Sequence, residues 1–589
     1  GVGASALVPQ IFTRNQVASG VTPPLGVAYL AAYLLAHDRP VQVIDALGEA
    51  PDQVADFEGE TLLRGLAVDQ IVDRIDPDVG LIGISNLFSF AYPAVEVLCR
   101  RLRRDLPRTP IVLGGHHPSA QWREILASLP EVSFVARGEE GEETLLGLVR
   151  HLEAEVGLGE LTGLAHRGPD GTPVEAGATK RLVNLEQRVR LVAPRPGAPA
   201  RPEPAAPFPA RHLLPMENYI KAQEGHGPST GRWTSILSSR GCPYACTFCS
   251  SRRTKWVARS AADVVPEMEH CIERWGIEEF HFEDDNMTID QDRLVDICDE
   301  IIDRRLDVRW QTPNGIRASR TSRTMLEKMQ RSGCTHVTLA PESGSERVLT
   351  DIVEKGRDFS LDQLEACGRD AHDVGLKVAA YFIIGLPGET VEDIEATIAY
   401  ARRLARAGVD EVAFGLFVPL PGTPLWDRVV DRLGPVDWLD LLVVDDLNRA
   451  KSWNPHISDD ELHRLRRRAY LTFHLTRLRH HPRAFARTVR NVLRDVEETK
   501  TERSLRQLLQ RWNLRQKRYV PGPVDAPAAD DRHAYPYDGA RSLSVLLQRE
   551  GHYAYGHSLR KAARLVAEDA RRRWVSASER VRRRARARR

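Results

Sequence analysis

Cys242-Pro243-Tyr244-Ala245-Cys246-Thr247-Phe248-Cys249 sets three thiols on one short loop, directly after an apolar, strand-like run at 236–239. Thiolates are the usual ligands of iron–sulfur clusters. Three so closely spaced can hold three corners of a cubane and leave its fourth iron open to a substrate or cofactor. A structural zinc site asks for four ligands, and no fourth Cys or His follows at finger-like spacing. Cys99, Cys271, Cys298, Cys334 and Cys367 are scattered through helix- or strand-like segments and read as small buried hydrophobes. Eight cysteines in 589 residues are too few for a disulfide scaffold.

Outward from this loop the pattern is strand, helix, strand. Apolar runs near 236–239, 279–283, 309–312, 336–340, 377–384 and 411–417 alternate with helical periodicity, giving six strand–helix units. Upstream, a run at 6–8, a helix at 25–35 and strands at 41–45, 81–85 and 111–115 repeat the alternation in a Rossmann-like order. A Pro- and Ala-rich stretch at 191–209 separates the two blocks and reads as an extended connector. Beyond 433 strands give out. Helical periodicity at 459–514 is expected to cap the second block and close over a substrate, and 521–536 is a second irregular stretch. The expected class is α/β, with a Rossmann-like domain at 1–155, a partly Pro-rich linker at 156–228, a partial (β/α)6 barrel at 229–433 and a mainly helical region with a basic tail at 434–589.

Composition narrows the partners. The chain is 42% hydrophobic and 28% charged with a net charge of +1, which is ordinary for a globular protein and gives no general reason for an acidic partner. No apolar run approaches the roughly 20 residues that span a bilayer, and no leader pattern opens the sequence, so a cytoplasmic protein is expected. The segment 571–589 is rich in arginine but carries no aromatic beyond Trp574. It reads as a solvated helix, with a polyanion-binding arm as the alternative, and nucleic acid is not an expected partner.

The three-then-two spacing of the cysteines, with Phe248 before the last, resembles the signature of radical S-adenosylmethionine (SAM) enzymes. The resemblance implies a 4Fe-4S cluster on Cys242, Cys246 and Cys249, SAM chelated on the free iron, and adenine beside Phe248. It also assigns strand-end residues: Glu283 and Asp284 to the methionine amino group, Asn314 and Arg317 after the third strand, Glu342 and Ser343 to the ribose or carboxylate, and Gly385 and Leu386 near the adenine. Pro421-Gly422-Thr423-Pro424 looks like the family's closing segment. Glu283 and Asp285 are the candidate catalytic acid or base. Read without the family, 282–286 is a solvated acidic turn, and Gly385 and Gly388 are what a tight turn needs.

Three upstream elements look like the cobalamin-binding domain that precedes many radical SAM enzymes: Thr22-Pro23-Pro24-Leu25-Gly26, Gly114-Gly115-His116-His117-Pro118 and Arg137-Gly138-Glu139-Glu140-Gly141-Glu142. Open parallel sheets bind ligands at their carboxyl edge. That places Pro24, Leu25, Gly26, Ser85, Asn86, Gly114, Gly115, His116, His117, Gly138, Glu139 and Glu140 around a cobalamin. No Gly-x-Gly-x-x-Gly opens the first helix, which disfavours a nicotinamide cofactor. An Asp-x-His-x-x-Gly string occurs at Asp370, His372 and Gly375, but on a helix of the second block, where it points away from any N-terminal cofactor. The chain therefore resembles the members that hold cobalamin without a protein histidine on cobalt. His116 and His117 are expected at the corrin edge. Arg64, before a helix at 66–75, is either a neighbour of the lower face or a solvated helix-start arginine.

The resemblance implies a methyltransferase that moves a methyl group from SAM, by way of methylcobalamin, to a carbon of a small-molecule, natural-product or peptide substrate, with flavodoxin or ferredoxin as reductant. Tryptophan C2, methylated in thiopeptide biosynthesis, is one variant. A cyclase or rearrangement enzyme of the tetrapyrrole type is the alternative, separated by product mass. A non-catalytic iron–sulfur protein that binds nucleic acid or senses redox state is the reading of another class, separated by the absence of SAM turnover.

Overall fold

The computed structural model describes residues 2–7, 9–13, 20–59, 61–138, 141–176, 208–433, 436–443, 450–494, 496–510 and 518–520. Glu139 and Glu140, most of the Pro-rich connector, the 521–536 stretch and the arginine-rich segment lie outside the described residues. Among the described residues no helix is long and apolar enough to cross a membrane.

The N-terminal sheet has seven strands, in the order Pro173–Ala176, Leu164–Arg167, Phe134–Ala136, Ile111–Gly114, Val79–Ser85, Val2–Leu7 and Val41–Asp45. The last five are mutually parallel. Period-two alternation divides Val79–Ser85 between two layers. Leu81 packs with Leu145, Leu148 and Val149 of helix Gly141–Leu152, while Ile82 and Ile84 pack with Val95, Leu98 and Leu102 of helix Tyr92–Asp105. The sheet runs past residue 155: 164–176 form an antiparallel hairpin on its edge, so they belong to the sheet rather than to the connector. The signal was Gly168-Pro169-Asp170-Gly171, whose Asp170 carboxylate accepts the Thr172 N–H at 3.0 Å and whose Gly171 has φ +83°.

The expected helix at 66–75 is only Val68–Val72, and Arg64 does not start it. Arg64 ends strand Thr61–Arg64, which with Gln10–Thr13, Gln53–Asp56 and Arg518–Val520 makes a small second sheet. The guanidinium is buried, 2.5 Å from Glu224, so it is neither solvated nor open to a ligand.

The second block is a six-stranded parallel sheet in strictly sequential order: Trp233–Ile236, Glu279–Phe282, Arg309–Ile316, Cys334–Glu342, Lys377–Ile384 and Glu411–Leu416. Alternation again sorts the side chains. Phe280, Phe282, Trp310, Val337, Val378 and Phe382 face the helix layer and join one core with Val264, Leu294 and Leu326. Glu279, His281, Gln311 and Tyr381 point the other way, which gives the inner face a polar lining.

Two boundaries differ from expectation. The first strand ends at Ile236, because Asp284 draws Ser238 and Ser239 out of the ladder by hydrogen bonding. The third and fourth strands run on through register irregularities, so Asn314 lies inside its strand rather than after it, and Glu342 is the last residue of the fourth. Helices Asp459–His480, Pro482–Leu493 and Lys500–Gln510 follow. The first starts at Ser458, whose hydroxyl accepts the Glu461 N–H, and its Leu462, Leu465, Ala469 and Phe473 join the barrel core.

Candidate active site

The cysteine loop is held at both ends by one carboxylate. Asp285, just past the second strand, accepts the Gly241 N–H at 3.1 Å and the Ser251 hydroxyl at 2.9 Å, bridging the residue before Cys242 and the second residue after Cys249. Gly241 has φ +82°, and a Cβ there would stand 2.4 Å from the Lys255 carbonyl oxygen, so glycine is required. Thr254 accepts the Cys242 N–H at 2.7 Å, and Thr247 donates through its N–H to the Val353 carbonyl and through its hydroxyl to that of Ile352. Both oxygens of Asp285 are thus engaged in bracing the loop.

Burial pushes all three thiols up, Cys249 to about 12. Left to themselves they stay protonated at neutral pH, so a metal must displace the protons for them to ligate. Among the described residues no three His, Cys, Asp or Glu side chains form a single-ion site. Three thiols on one short loop suit a cluster, which offers each thiolate its own iron.

The other residues named from sequence divide into two groups. Asp284 is buried and committed to the turn: it accepts the Ser238 N–H at 2.9 Å and the hydroxyls of Ser238 and Ser239 at 2.6 and 2.5 Å. Ser343 is fully buried, 3.0 Å from the Thr397 hydroxyl, and accepts the Ser345 N–H. The N–H groups of Gly385 and Leu386 donate to Glu389 at 2.6 and 3.1 Å, and burial pushes the Glu389 carboxyl up to about 8 against these bonds. Asp284 and Ser343 spend their side-chain oxygens, and Gly385 and Leu386 their N–H groups, on turns, while the Leu386 side chain joins the same cluster as Phe248, the residue expected beside the adenine.

The second group faces the mouth. Glu342 has φ +63°, a left-handed conformation that is costly for a residue with a Cβ, and its carboxylate lies 2.6 Å from the Lys355 ammonium. Arg317 reaches the same place, pairing with Asp358 at 2.5 Å and lying 3.9 Å over the Tyr244 ring. Lys355, Glu342 and Arg317 all act on the Cys246 thiol. Phe248 packs with Leu386, Phe417 and Leu425 under this lip. Inside the barrel, Glu283 accepts from Asn314 at 3.3 Å and meets His226 at 2.9 Å. Burial raises the Glu283 carboxyl, but His226, His281 and Lys500 together outweigh that and leave it below the usual range. No motif flagged His226, Lys355, Tyr381 or Lys500; they lie in segments whose only signal is proximity in the fold.

The carboxyl edge of the N-terminal sheet faces this mouth. Arg240, two residues before Cys242, pairs with Glu142 at 2.8 Å and lies over the Tyr29 ring at 4.7 Å. A Cβ on Gly422 would stand 3.3 Å from that of Ala120, so the 421–424 turn touches the short helix His116–Ala120. His116 lies at the same junction, where loss of solvent lowers its pKa and the Asp285 charge opposes. At the edge itself Ser85 ends its strand, and the Asn86 N–H donates to Gly114. Gly115 has φ +108° and lies too close to Asn86 to carry a Cβ. Gly138 also has positive φ, whereas a Cβ on Gly26, beside Pro24 and Leu25 at the helix start, would meet nothing.

His117 departs from expectation. It is buried between Tyr92 and Trp438, ring centroids 4.5 and 4.8 Å away, rather than displayed at an edge, and burial pushes its pKa down to about 3. Missed at this edge are Leu87 and Phe88, which are 51% and 54% exposed where the chain leaves Ser85.

These features agree with comparisons to known proteins. Residues 14–149 match the model of the B12 binding domain, and 236–401 that of the Radical SAM superfamily. The chain is 31% identical to the cytidylyl-2-hydroxyethylphosphonate methyltransferase of Streptomyces wedmorensis over 438 residues, covering 71% of this chain and 79% of that protein. It is 29% identical to an uncharacterized methyltransferase of Pyrococcus horikoshii over 501 residues, 83% of this chain and 97% of the other. In fold it is similar to the radical SAM methyltransferase TsrM of Kitasatospora setae, solved with tryptophan and a SAM analogue, at a TM-score of 0.55, 18% identity and coverage of 73% and 76%.

Proposed function

This chain belongs to the cobalamin-dependent radical SAM enzymes, and from that premise we propose that it methylates a carbon atom of a small polar molecule. When bound, the cluster, SAM and cobalamin supply the electron, the methyl group and its carrier. The protein supplies position. Cys242, Cys246 and Cys249 would hold the cluster, Asp285 keeps their loop in shape, and Glu342, Lys355 and Arg317 would meet SAM beside Cys246. The sheet edge around Asn86, Gly114, Gly115 and His116, with Leu87 and Phe88, is the surface for cobalamin, and two observations there fit a large ligand. Two big apolar side chains stand exposed, and the buried Asn86 side-chain oxygen has no partner among the described residues.

The observation that carries the reading is the junction. Arg240 and Glu142 tie the cysteine loop to the N-terminal sheet, so a methyl carrier on that edge faces the mouth of the barrel. Holding the reacting groups in fixed relation is the main contribution a protein can make to such a transfer. The polar inner face, with His226, Glu283, Asn314 and Tyr381, suits a hydrogen-bonding metabolite, like the phosphonate named for the Streptomyces relative, better than an apolar macrocycle. An aromatic substrate such as tryptophan is the narrower variant.

The test is transfer of label. Reduced holoenzyme is incubated with SAM bearing a deuterated methyl group and a panel of polar metabolites, and products are read by mass spectrometry. Appearance of the intact labelled methyl on carbon supports the proposal. Loss of hydrogens alone from a substrate would assign cyclase chemistry instead.

A further inference from the structure

On the inner face of the barrel stands an ammonium that no carboxylate pairs with among the described residues. Lys500, the first residue of helix Lys500–Gln510, enters the lumen beside Tyr381 of the fifth strand, donates to its hydroxyl at 2.5 Å and lies 5.0 Å from its ring centroid. Its charge is felt by Glu283, just past the second strand, and by Glu411, on the sixth, yet neither carboxylate comes within 4.0 Å. Glu411 is engaged otherwise, accepting the Thr501 N–H at 3.2 Å, and Glu283 is held by His226 and Asn314. The other cations packed at this end are paired: Arg503 with Glu497, and Lys377 with Asp410 and Glu498.

Taking an ammonium out of water without a counter-charge is costly, and proteins pair such groups or keep them for a ligand. The lumen is also open, because Asn314 is exposed and His226, Glu283, Tyr381 and Lys500 are all only partly buried although they stand inside the sheet's curve. We propose that Lys500 and Tyr381 form an oxyanion subsite, which takes a carboxylate or phosphoryl group of the substrate and sets the depth at which the substrate sits below the cluster loop. This deepens the methyltransferase reading and rests on it for the word substrate, whereas the subsite itself can be tested without turnover. Lys500 is a specificity residue in this account, and the C-terminal helix is part of the active site rather than a cap on it.

The full chain, reconstituted with its cluster, is heated in sodium chloride, sodium acetate and sodium methylphosphonate at equal ionic strength, as wild type and as Lys500→Met and Lys500→Arg. A ligand that binds the folded state raises its midpoint. The wild type is expected to gain about 1 °C or more in acetate or methylphosphonate over chloride, a modest gain because the chain is long. Whichever anion gives the larger gain identifies the group. Lys500→Arg should keep the gain and Lys500→Met should lose it, each read against the same variant in chloride. No anion-specific gain in the wild type, or a gain retained in Lys500→Met, would each overturn the subsite. None of these outcomes depends on SAM turnover, so they are separable from a failure of the methyltransferase reading.

Discussion

The cysteine loop and the carboxyl edge of the N-terminal sheet face each other across one junction, yet they are built on opposite principles. In the loop nearly every polar group is spoken for: Asp285, Asp284, Thr247 and Thr254 take up the backbone on both sides of the thiols. At the sheet edge the buried Asn86 side-chain oxygen has no partner among the described residues, and Leu87 and Phe88 stand exposed. A small cluster needs a few donors fixed in advance, and hydrogen bonds provide that. A large, partly apolar cofactor needs a shaped surface, most of whose contacts form only when it arrives.

Breaking the tie between the two regions should have the largest effect. Glu142→Ala strands the Arg240 guanidinium at a nearly buried site, and a loss of about 3 kcal/mol is expected in chemical denaturation. Iron content and cobalamin retention should fall together, since Arg240 precedes Cys242 by two residues. If only one falls, the regions are not mechanically joined. Asp285→Ala should act on the loop alone, costing about 1–2 kcal/mol for two hydrogen bonds to a charged acceptor. It should lower iron bound per chain while cobalamin retention stays at the wild-type level.

The interior of the N-terminal domain has a pH signature of its own. His117 titrates near 3 in the folded chain and near 6.5 when unfolded, so between those values the unfolded state holds the extra proton. Stability from this group is complete above pH 6.5 and is lost on acidification through that window, by about 1.4 kcal/mol at pH 5.5. The wild-type chain should therefore lose more stability between pH 7 and 5.5 than His117→Gln, and equal losses would mean that the imidazole is not shielded. The smallest effect on folding is expected for Phe88→Ala, within about 0.5 kcal/mol because the ring is exposed. Retention of cobalamin through gel filtration should nevertheless drop several-fold, and unchanged retention would remove Phe88 from the cofactor surface.

What the sequence disclosed follows from the same contrast. The cysteine loop and the order of the six barrel strands were legible because spacing and alternation are local properties. The turn bonds of Asp284 and Ser343 were not legible, because residue type and strand-end position do not say whether an oxygen faces the cavity or its own turn. His117 was misplaced because its burial depends on Trp438, more than 300 residues away in sequence. Leu87 and Phe88 carried no motif; two apolar residues after a strand resemble core until the fold shows them uncovered. Lys500 was invisible for a similar reason, since only the return of the C-terminal helix to the barrel gives it Tyr381 as a neighbour.

The most direct test of the account is anaerobic reconstitution with iron, sulfide and cobalamin, followed by mass spectrometry of the nucleosides formed from SAM under a low-potential reductant. The account predicts that the wild type binds both the cluster and cobalamin and converts SAM to 5′-deoxyadenosine and S-adenosylhomocysteine, and that Cys246→Ala keeps cobalamin but forms no 5′-deoxyadenosine. Undiminished 5′-deoxyadenosine from Cys246→Ala, or a wild-type chain that takes up neither group, would contradict it.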